Sequence, residues 1–492
     1  MLLIESLQKL IKNNDQSMDK AVRTQKIHEI IERDKNNPYL EIEIPWEDGL
    51  KPMKVYKIPL ELLVYNKYNG RILSRTKSLE KQGRILNPET DSDKNIIEDL
   101  LWKSHTERNT KTLKNISDFG QQKVGIITKD GIIIDGNRRA MLLQRSGKYD
   151  YFKAVVLPVT VEENPIEIEK LETFFQMGED EKLDYNATEK YIKSKEIYLR
   201  LTSSPNLNIH ELNEEAVSKI ADWMGKPNSE IKKYLTTMAI MDEYLEYLEY
   251  DGIYTQLDKR EDPFLNLTKW LDNFYNKESN RAFDGYTNND VDDLKIIAYD
   301  YIRIKFEGKD FRIIADGNKD KHFFGEKKIW ESFRDKHFAI KENLPEETEI
   351  EYDSSNLEAH LNARDNEFFK SANDENGDNE FIENVKDHQF QIGYKKAEGE
   401  PGKLVKRAMQ TFEAIKTGHK IFESNEVQNL VEELGNKVFD TLQKKSPSKV
   451  LDHIIRLLDE IDTDKIPETE IENVKAKTKQ IQSLGYTIHK AL

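Results

Sequence analysis

Ile132-Ile133-Ile134-Asp135-Gly136-Asn137-Arg138-Arg139-Ala140-Met141-Leu142-Leu143 is the stretch from which the rest of the chain is read. Three β-branched residues, set off by Lys129-Asp130-Gly131, make a short buried strand entered from a hairpin-type turn. Gly136 supplies the positive φ that a sharp strand-to-helix turn needs, and Asn137 is expected to cap the helix that follows. Ala140, Met141, Leu142 and Leu143 suit a helix interior. Such a turn aims free backbone N–H groups and two guanidinium groups at one spot, which favours a bound phosphate. The same pattern fits an ordinary strand–turn–helix whose arginines face solvent, so both readings stand at this point.

Around that stretch lie 492 residues, enough for two to four domains with cores of their own. Charged residues make up 34% and hydrophobic residues 37%, a very polar balance that still buries cores. There is no cysteine, which excludes disulfides and thiolate metal sites. No 18-residue apolar run occurs, so no membrane span is expected, and Glu5, Lys9 and Lys12 break up the apolar N-terminus against a signal peptide. A cytoplasmic, bacterial protein is the expectation. The net charge of −16 argues against indiscriminate coating of nucleic acid but leaves room for a local basic surface.

Further segments make the chain resemble a known family. Leu113-Lys114-Asn115-Ile116-Ser117-Asp118-Phe119-Gly120, a strand over 124–128, then Asp135-Gly136-Asn137-Arg138-Arg139-Ala140 and Ser146-Gly147 are similar to the N-terminal domain of ParB-type proteins, which has the ParB/sulfiredoxin-like fold. Upstream, the run 55–63 followed by Tyr68-Asn69-Gly70-Arg71 resembles the family's opening strand and its asparagine/glutamine-proline-arginine element, and Val155-Val156-Leu157-Pro158-Val159 resembles its next core strand. The resemblance covers roughly residues 50–250, with an insertion at 74–108. It implies an α+β chain: a small mixed-sheet domain, a helix-turn-helix, and mostly α-helical C-terminal domains.

It also implies a nucleoside triphosphate, CTP or ATP, held with Mg²⁺ at Asp135, Gly136, Asn137, Arg138 and Arg139, with Arg71 and Lys123 as further phosphate contacts. Where the family carries a glutamate-asparagine…arginine motif, this chain has Glu172, Phe174, Phe175, Gln176, Met177, Gly178, Glu179 and Asp180. The asparagine and arginine are absent, which leaves Glu172, Glu179 and Asp180 as the candidate catalytic or Mg²⁺-holding carboxylates. Asn137 stands where the family has a glutamate, and Lys123-Val124 where it has glutamine-proline. Binding is therefore better supported than turnover, and NTPase activity stays open. In the family, nucleotide binding would close two N-terminal domains into a clamp, so a homodimer on double-stranded DNA is the implied assembly.

Residues 211–235 read as helix-turn-helix from their own signals. Asn213 caps a first helix with Ala216, Ile220 and Ala221 inward; Gly225 ends it, and Pro227 blocks its continuation. Ile231, Leu235 and Ile240 form the buried stripe of the second helix, leaving Lys226, Asn228, Ser229, Lys232, Lys233 and Thr236 to face DNA. A helical hairpin used only for packing is the alternative.

The remaining chain suggests organisation more than chemistry. The domains expected are a helical extension over 1–48, the ParB/sulfiredoxin-like domain over 49–165, the helical DNA-binding domain over 166–255, a helical domain over 256–350, an acidic linker over 351–402 and a helical bundle over 403–492. The bundle is expected to serve self-association or a partner protein. The insertion carries Arg75, Lys77, Lys81, Arg84, Arg108 and Lys111 around Trp102 and His105, read as a solvated helical insertion or as a nucleic-acid contact. Tyr244, Tyr247, Tyr250 and Tyr254 recur at helical spacing and are expected to pack. Asp316 with Glu326-Lys327-Lys328 fits a loose nuclease pattern, so a metal-dependent nuclease or phosphotransferase on the same fold is one alternative. A nucleotide-free DNA-binding regulator is another. A mosaic of this kind suits a mobile-element or phage-defence protein, on analogy alone.

Overall fold

The computed structural model describes residues 18–178, 187–352, 356–442 and 446–492. Residues 1–17 of the expected helical extension, and the candidate carboxylates Glu179 and Asp180, lie outside the described residues. Asp19 opens helix α1 (Lys20–Asp34), its side chain accepting from the Ala21 and Val22 N–H groups at 2.8 and 3.4 Å. The helical extension expected over 1–48 stops there. Leu40, Ile42, Ile44 and Trp46 alternate with polar residues, and that period of two makes strand β1 (Leu40–Trp46) instead.

β1 turns back into β2 (Gly49–Pro59), which carries the chain across the sheet. Helices α2 (Leu73–Lys81), α3 (Asp91–Lys103) and α4 (Thr106–Phe119) follow. Then come β3 (Gly125–Ile127), β4 (Ile133–Asp135), α5 (Asn137–Ser146) and β5 (Tyr151–Val156). The strand order is β1-β2-β5-β3-β4, antiparallel throughout except for β3 beside β5. The fold class is therefore the expected one: a small mixed sheet with helices, followed by a largely helical region. One face of the sheet, with Tyr56, Ile58, Phe152 and Ala154, packs on Ile27, Ile97, Leu101, Ile116 and Met141 of α1, α3, α4 and α5. The other, with Ile44, Trp46, Val55, Ile126, Ile134 and Val155, packs on Ile168 and Leu171 of α6 (Pro165–Thr173).

Past a π-helical turn (Phe174–Gly178) come α7 (Ala187–Thr202), α8 (Glu214–Met224), α9 (Asn228–Tyr247), α10 (Glu261–Phe274), α11 (Asn288–Arg303), α12 (Gly308–Arg312) and α13 (Lys327–Glu342). One continuous apolar core runs from Leu73 of α2 through all of these to Ile392. The division expected at residue 255 therefore does not exist: Tyr244 packs edge-to-face on Phe264 and Tyr299 across it. Nor is 351–402 a linker. It holds α14 (Leu357–Ser371) and α15 (Glu380–Lys396), which bury Leu361, Phe368, Phe381 and Val385 in the same core. The acidic run 374–380 lies in and beside the turn between the two helices, where Asp374 accepts from the Asn376 and Asp378 N–H groups at 2.9 Å. Residues 397–492 form a second unit with α16 (Pro401–Ala414), α17 (Asn425–Leu442), α18 (Pro447–Asp459) and α19 (Ile471–Ala491).

The first helix of the insertion, α2, is packed rather than solvated, and it buries Ser74, Thr76 and Ser78. Three of its cations face helical-region carboxylates: Arg75 lies 3.0 Å from Asp258, Lys77 2.7 Å from Glu196, and Lys81 2.5 Å from Asp251. Arg75, Lys77 and Lys81 thus tie the insertion to the helices.

Candidate functional site

The strand–turn–helix forms as its residues dictate. Gly136 sits at φ +107°, and a Cβ there would lie 2.7 Å from Phe152 Cζ and 3.1 Å from Arg139 Nη2. Gly136, not Asn137, is the cap of α5. Asn137 is buried, and its side chain ties neighbouring loops instead: Oδ1 accepts from the Asn66 N–H at 2.9 Å, and Nδ2 donates to the Ile133 carbonyl at 3.1 Å. With no cap side chain, the first N–H groups of α5 stay available to an anion.

A cavity of about 50 Å³ opens at this turn, lined by Asn69, Arg71, Asp135, Gly136, Asn137, Arg138, Arg139 and Gln176. A water occupies roughly 10–15 Å³ on the same measure, so the space matches a few waters or one phosphoryl group, and not a base. Six of the seven residues expected at the nucleotide site therefore meet here. Lys123 does not line the cavity; it is exposed, two residues before β3, and its carbonyl accepts from Gln121 Nε2 at 3.0 Å. The two adjacent guanidiniums diverge. Arg139 reaches back to Asp135 Oδ2 at 2.6 Å and to the Val124 carbonyl at 3.2 Å, while Arg138 bonds Asn109 and, at 3.0 Å, Thr112 Oγ1 of α4.

Behind the cavity runs a buried polar chain. Gln176 donates to Glu172 Oε1 at 3.0 Å and to the Ile134 carbonyl at 3.2 Å, and it accepts from the Gly70 N–H at 3.3 Å. Glu172 also accepts from Asn66 Nδ2 at 3.0 Å, and its other oxygen lies 3.3 Å from Lys193 Nζ. Lys193 lies 3.2 Å from Glu169, which Arg200 holds from the other side at 2.8 Å. Burial pushes the Glu172 carboxyl up, against the pull of Lys193. Burial also works to lower Lys193, but Glu172 and Glu169 outweigh it and hold the ammonium protonated. These groups border a second cavity of about 300 Å³ with Tyr68, Lys77 and Glu196. On α7, Glu189 is almost fully buried and accepts from the Ser74 N–H at 2.9 Å and Ser74 Oγ at 2.6 Å, at the first turn of α2. Burial, opposed by those bonds, pushes its carboxyl up to about 7.

The two helices expected over 211–235 form with the expected signals: Asn213 accepts from the Ala216 N–H at 3.0 Å, Gly225 closes α8 at φ +62°, and Pro227 precedes α9. Asn228, Ser229 and Lys233 are exposed, and Lys226, Lys232 and Thr236 are half-buried. Lys232 lies 2.6 Å from Glu214, and Thr236 Oγ1 donates to the Lys232 carbonyl at 2.9 Å. The nuclease pattern does not assemble. Asp316 pairs with Lys269 at 2.5 Å, Glu326 pairs with Lys395, and among the described residues no three metal-ligating side chains converge. No helix among the described residues is long and apolar enough to cross a membrane.

Sequence reasoning missed Asn66, Asn109, Thr112, Glu169 and Lys193. Only Glu169 carried a signal, its i,i+3 spacing to Glu172 on one helix face.

No family model matches the chain, and no curated protein matches it. Among solved structures it is similar to a Pnob8-like ParB-N domain, at 11% identity and a TM-score of 0.32, over 54% of this chain and 92% of that one. At that identity and score the likeness transfers no residue role.

Proposed function

We propose that the chain is a ParB-like DNA-binding protein whose sheet domain takes the phosphates of a nucleoside triphosphate, CTP or ATP, and whose helix-turn-helix takes double-stranded DNA. The observation that carries this is the cavity at the turn, lined by Arg71, Arg138 and Arg139 beside the uncapped N–H groups of α5. Arg139 would exchange part of its bond to Asp135 for a phosphate oxygen. The residues fit a phosphate better than they fit Mg²⁺, because the Glu172 carboxylate is already shared among Asn66, Gln176 and Lys193. The reading therefore stops at binding and includes no hydrolytic step. Calorimetry with CTP, ATP and GTP, with and without Mg²⁺, tests it. One nucleotide should bind wild type and lose at least tenfold in affinity in Arg138→Ala/Arg139→Ala. Absence of binding by all three would refute it.

A second reading is a nucleotide-free DNA-binding regulator. It is favoured by the internal partners of both arginines, Asp135 for Arg139 and Asn109 with Thr112 for Arg138. Equal retention of a DNA duplex with and without nucleotide would support it. A homodimer, and a protein partner for residues 397–492, belong to the proposal as well, as does the mobile-element or phage-defence setting.

A further inference from the structure

The helix α6 covers only part of its face of the sheet. The other end of that face, where β2 and β5 pair Lys57 with Lys153, is open, and Tyr39 and Tyr151 flank the two lysines. Lys57 Nζ sits over both rings, 5.4 Å from the centroid of Tyr39 and 4.9 Å from that of Tyr151. Lys153 Nζ sits 4.5 Å over Tyr39 and donates to its hydroxyl at 2.8 Å. Tyr149 continues the row, edge-on to Tyr151 at 6.5 Å, with Gly120 against its ring.

This patch is chemically unlike its surroundings. The chain carries a net charge of −16, and the insertion's Lys77 and Lys81 are each matched to a carboxylate. Lys57 and Lys153 have no carboxylate partner among the described residues. The glutamates of β1, Glu41 and Glu43, alternate onto the opposite face, because Leu40 and Ile42 share the face of Val55. Asp150 is the one carboxylate in the run from Tyr149 to Lys153. The Tyr39 hydroxyl is acidified by its bond from Lys153 and by the charges of Lys153 and Lys57. Ammonium groups resting on aromatic rings leave those rings when a stronger anion arrives, which frees π-faces at the same moment.

We propose that this open sheet face, with Tyr39, Tyr151, Lys57 and Lys153 at its centre, is a binding surface for single-stranded nucleic acid. The lysines take backbone phosphates, and the tyrosines stack two or three successive bases, an arrangement suited to any sequence because every base has a π-face. A duplex hides its base faces and offers the rings nothing to stack on, so duplex DNA is not the ligand of this surface. The surface is separate from the helix-turn-helix and from the arginine-lined turn.

Fluorescence anisotropy of the full-length protein with labelled 12-nucleotide oligo(dT) and oligo(U), and with a 12-base-pair duplex, tests the proposal without any nucleotide present. The variants are Lys57→Ala/Lys153→Ala, Tyr39→Ala/Tyr151→Ala and, as a control outside the patch, Arg138→Ala/Arg139→Ala. Wild type should bind the single strands, with the affinity falling as salt rises. Losing two phosphate contacts should lower the slope of log K against log salt by about 1.4 for a single strand. Losing the tyrosines should weaken binding about tenfold or more with the salt slope kept. The arginine control should bind single strands as wild type does, which separates this surface from the nucleotide reading. Tyr39→Phe/Tyr151→Phe, which keeps the rings, should retain binding and guards against a folding defect in the alanine variant. Wild type without affinity for either single strand would overturn the proposal. So would single-strand binding that neither alanine pair changes, or binding to the duplex that both alanine pairs reduce equally.

Discussion

Removing the Lys193 ammonium tests whether the buried chain behind the turn is held by charge. Lys193 is 4% exposed, and the carboxylates it bridges, Glu169 and Glu172, are 4% and 5% exposed. Lys193→Met keeps the length of the side chain and strands Glu172, because Glu169 retains Arg200 at 2.8 Å whereas Glu172 keeps only the neutral donors Asn66 and Gln176. Breaking one partner out of a buried ion pair costs about 3–5 kcal/mol. Neutral donors remain on Glu172, so the lower end, about 3 kcal/mol, is expected at pH 7.5. The loss should shrink as the pH falls towards 5, because burial already raises the Glu172 carboxyl and loss of Lys193 raises it further, so it protonates and no longer needs a counter-charge. Adding Glu172→Gln to Lys193→Met should recover most of the stability at pH 7.5, to within about 1.5 kcal/mol of wild type. Urea denaturation followed through tryptophan fluorescence is the assay, since Trp46 is buried in the cluster that α6 covers. A loss below about 1 kcal/mol at pH 7.5, or no recovery in the double variant, would refute the reasoning.

Three further outcomes are expected. Gly136→Ala places a Cβ at φ +107° and 2.7 Å from Phe152, so strain and overpacking together should cost about 2–5 kcal/mol in the same assay, and Gly136→Asn should do no better. Glu189 has a folded-state pKa of about 7, above its ordinary 4.5, so the native state binds the extra proton and wild-type stability should fall as pH rises from 4.5 to 7; Glu189→Gln should flatten that fall in a series of pH-dependent melts. The chain ended after Lys396 should melt like the full chain and run as a smaller species in sedimentation, because residues 397–492 are a separate unit whose side chains Met409, Phe412, Leu430, Ile455 and Leu484 are exposed in one copy.

The sheet domain was legible where one local rule acted alone. Gly136, the strand before it and the apolar helix after it need no distant partner to be recognised, and the same holds for Asn213, Gly225 and Pro227 in the helix-turn-helix. Reading failed where a side chain had two uses. Asn137 is a good cap by type, yet once Gly136 takes the cap position its amide is free to tie Asn66 to Ile133. The alternation in Leu40–Trp46 was a strand signal, masked by the helical pattern ahead of it. The acid-rich run near residue 375 was read by its charge, and the charge belongs to a turn between helices whose apolar residues, Phe368 and Phe381, stack 5.6 Å apart. Lys193 gave no signal at all, since a lysine among lysines is singled out only by the carboxylates that surround it in the fold.

Coupling between a phosphate at the turn and DNA at the helix-turn-helix requires an element that both contact and that favours one arrangement over another. Among the described residues, α6, the turn after it and α7 link the two places. Gln176 lines the cavity and holds the Gly70 N–H beside Arg71; Glu172, one helical turn earlier, is pinned by Lys193 of α7; and α7 itself buries Tyr191 against Tyr234 of α9, 5.2 Å between ring centroids. A phosphate that draws Arg71 or Gln176 inward therefore pulls on α7 through bonds of about 3 Å, and α7 is packed on the helix whose N-terminus would enter the major groove. The second condition is set by Glu189, which anchors α7 to the first turn of α2 through Ser74 with a carboxyl that titrates near 7. Weakening that anchor loosens α7 from the sheet domain while leaving the cavity intact. Ser74→Ala removes the Oγ bond and keeps the backbone one, so it should leave nucleotide affinity within about twofold of wild type while reducing the change in DNA retention that nucleotide produces. Calorimetry for the first quantity and a filter-retention assay for the second separate the two. An equal loss in both would place Glu189 in the nucleotide site itself and dissolve the coupling argument.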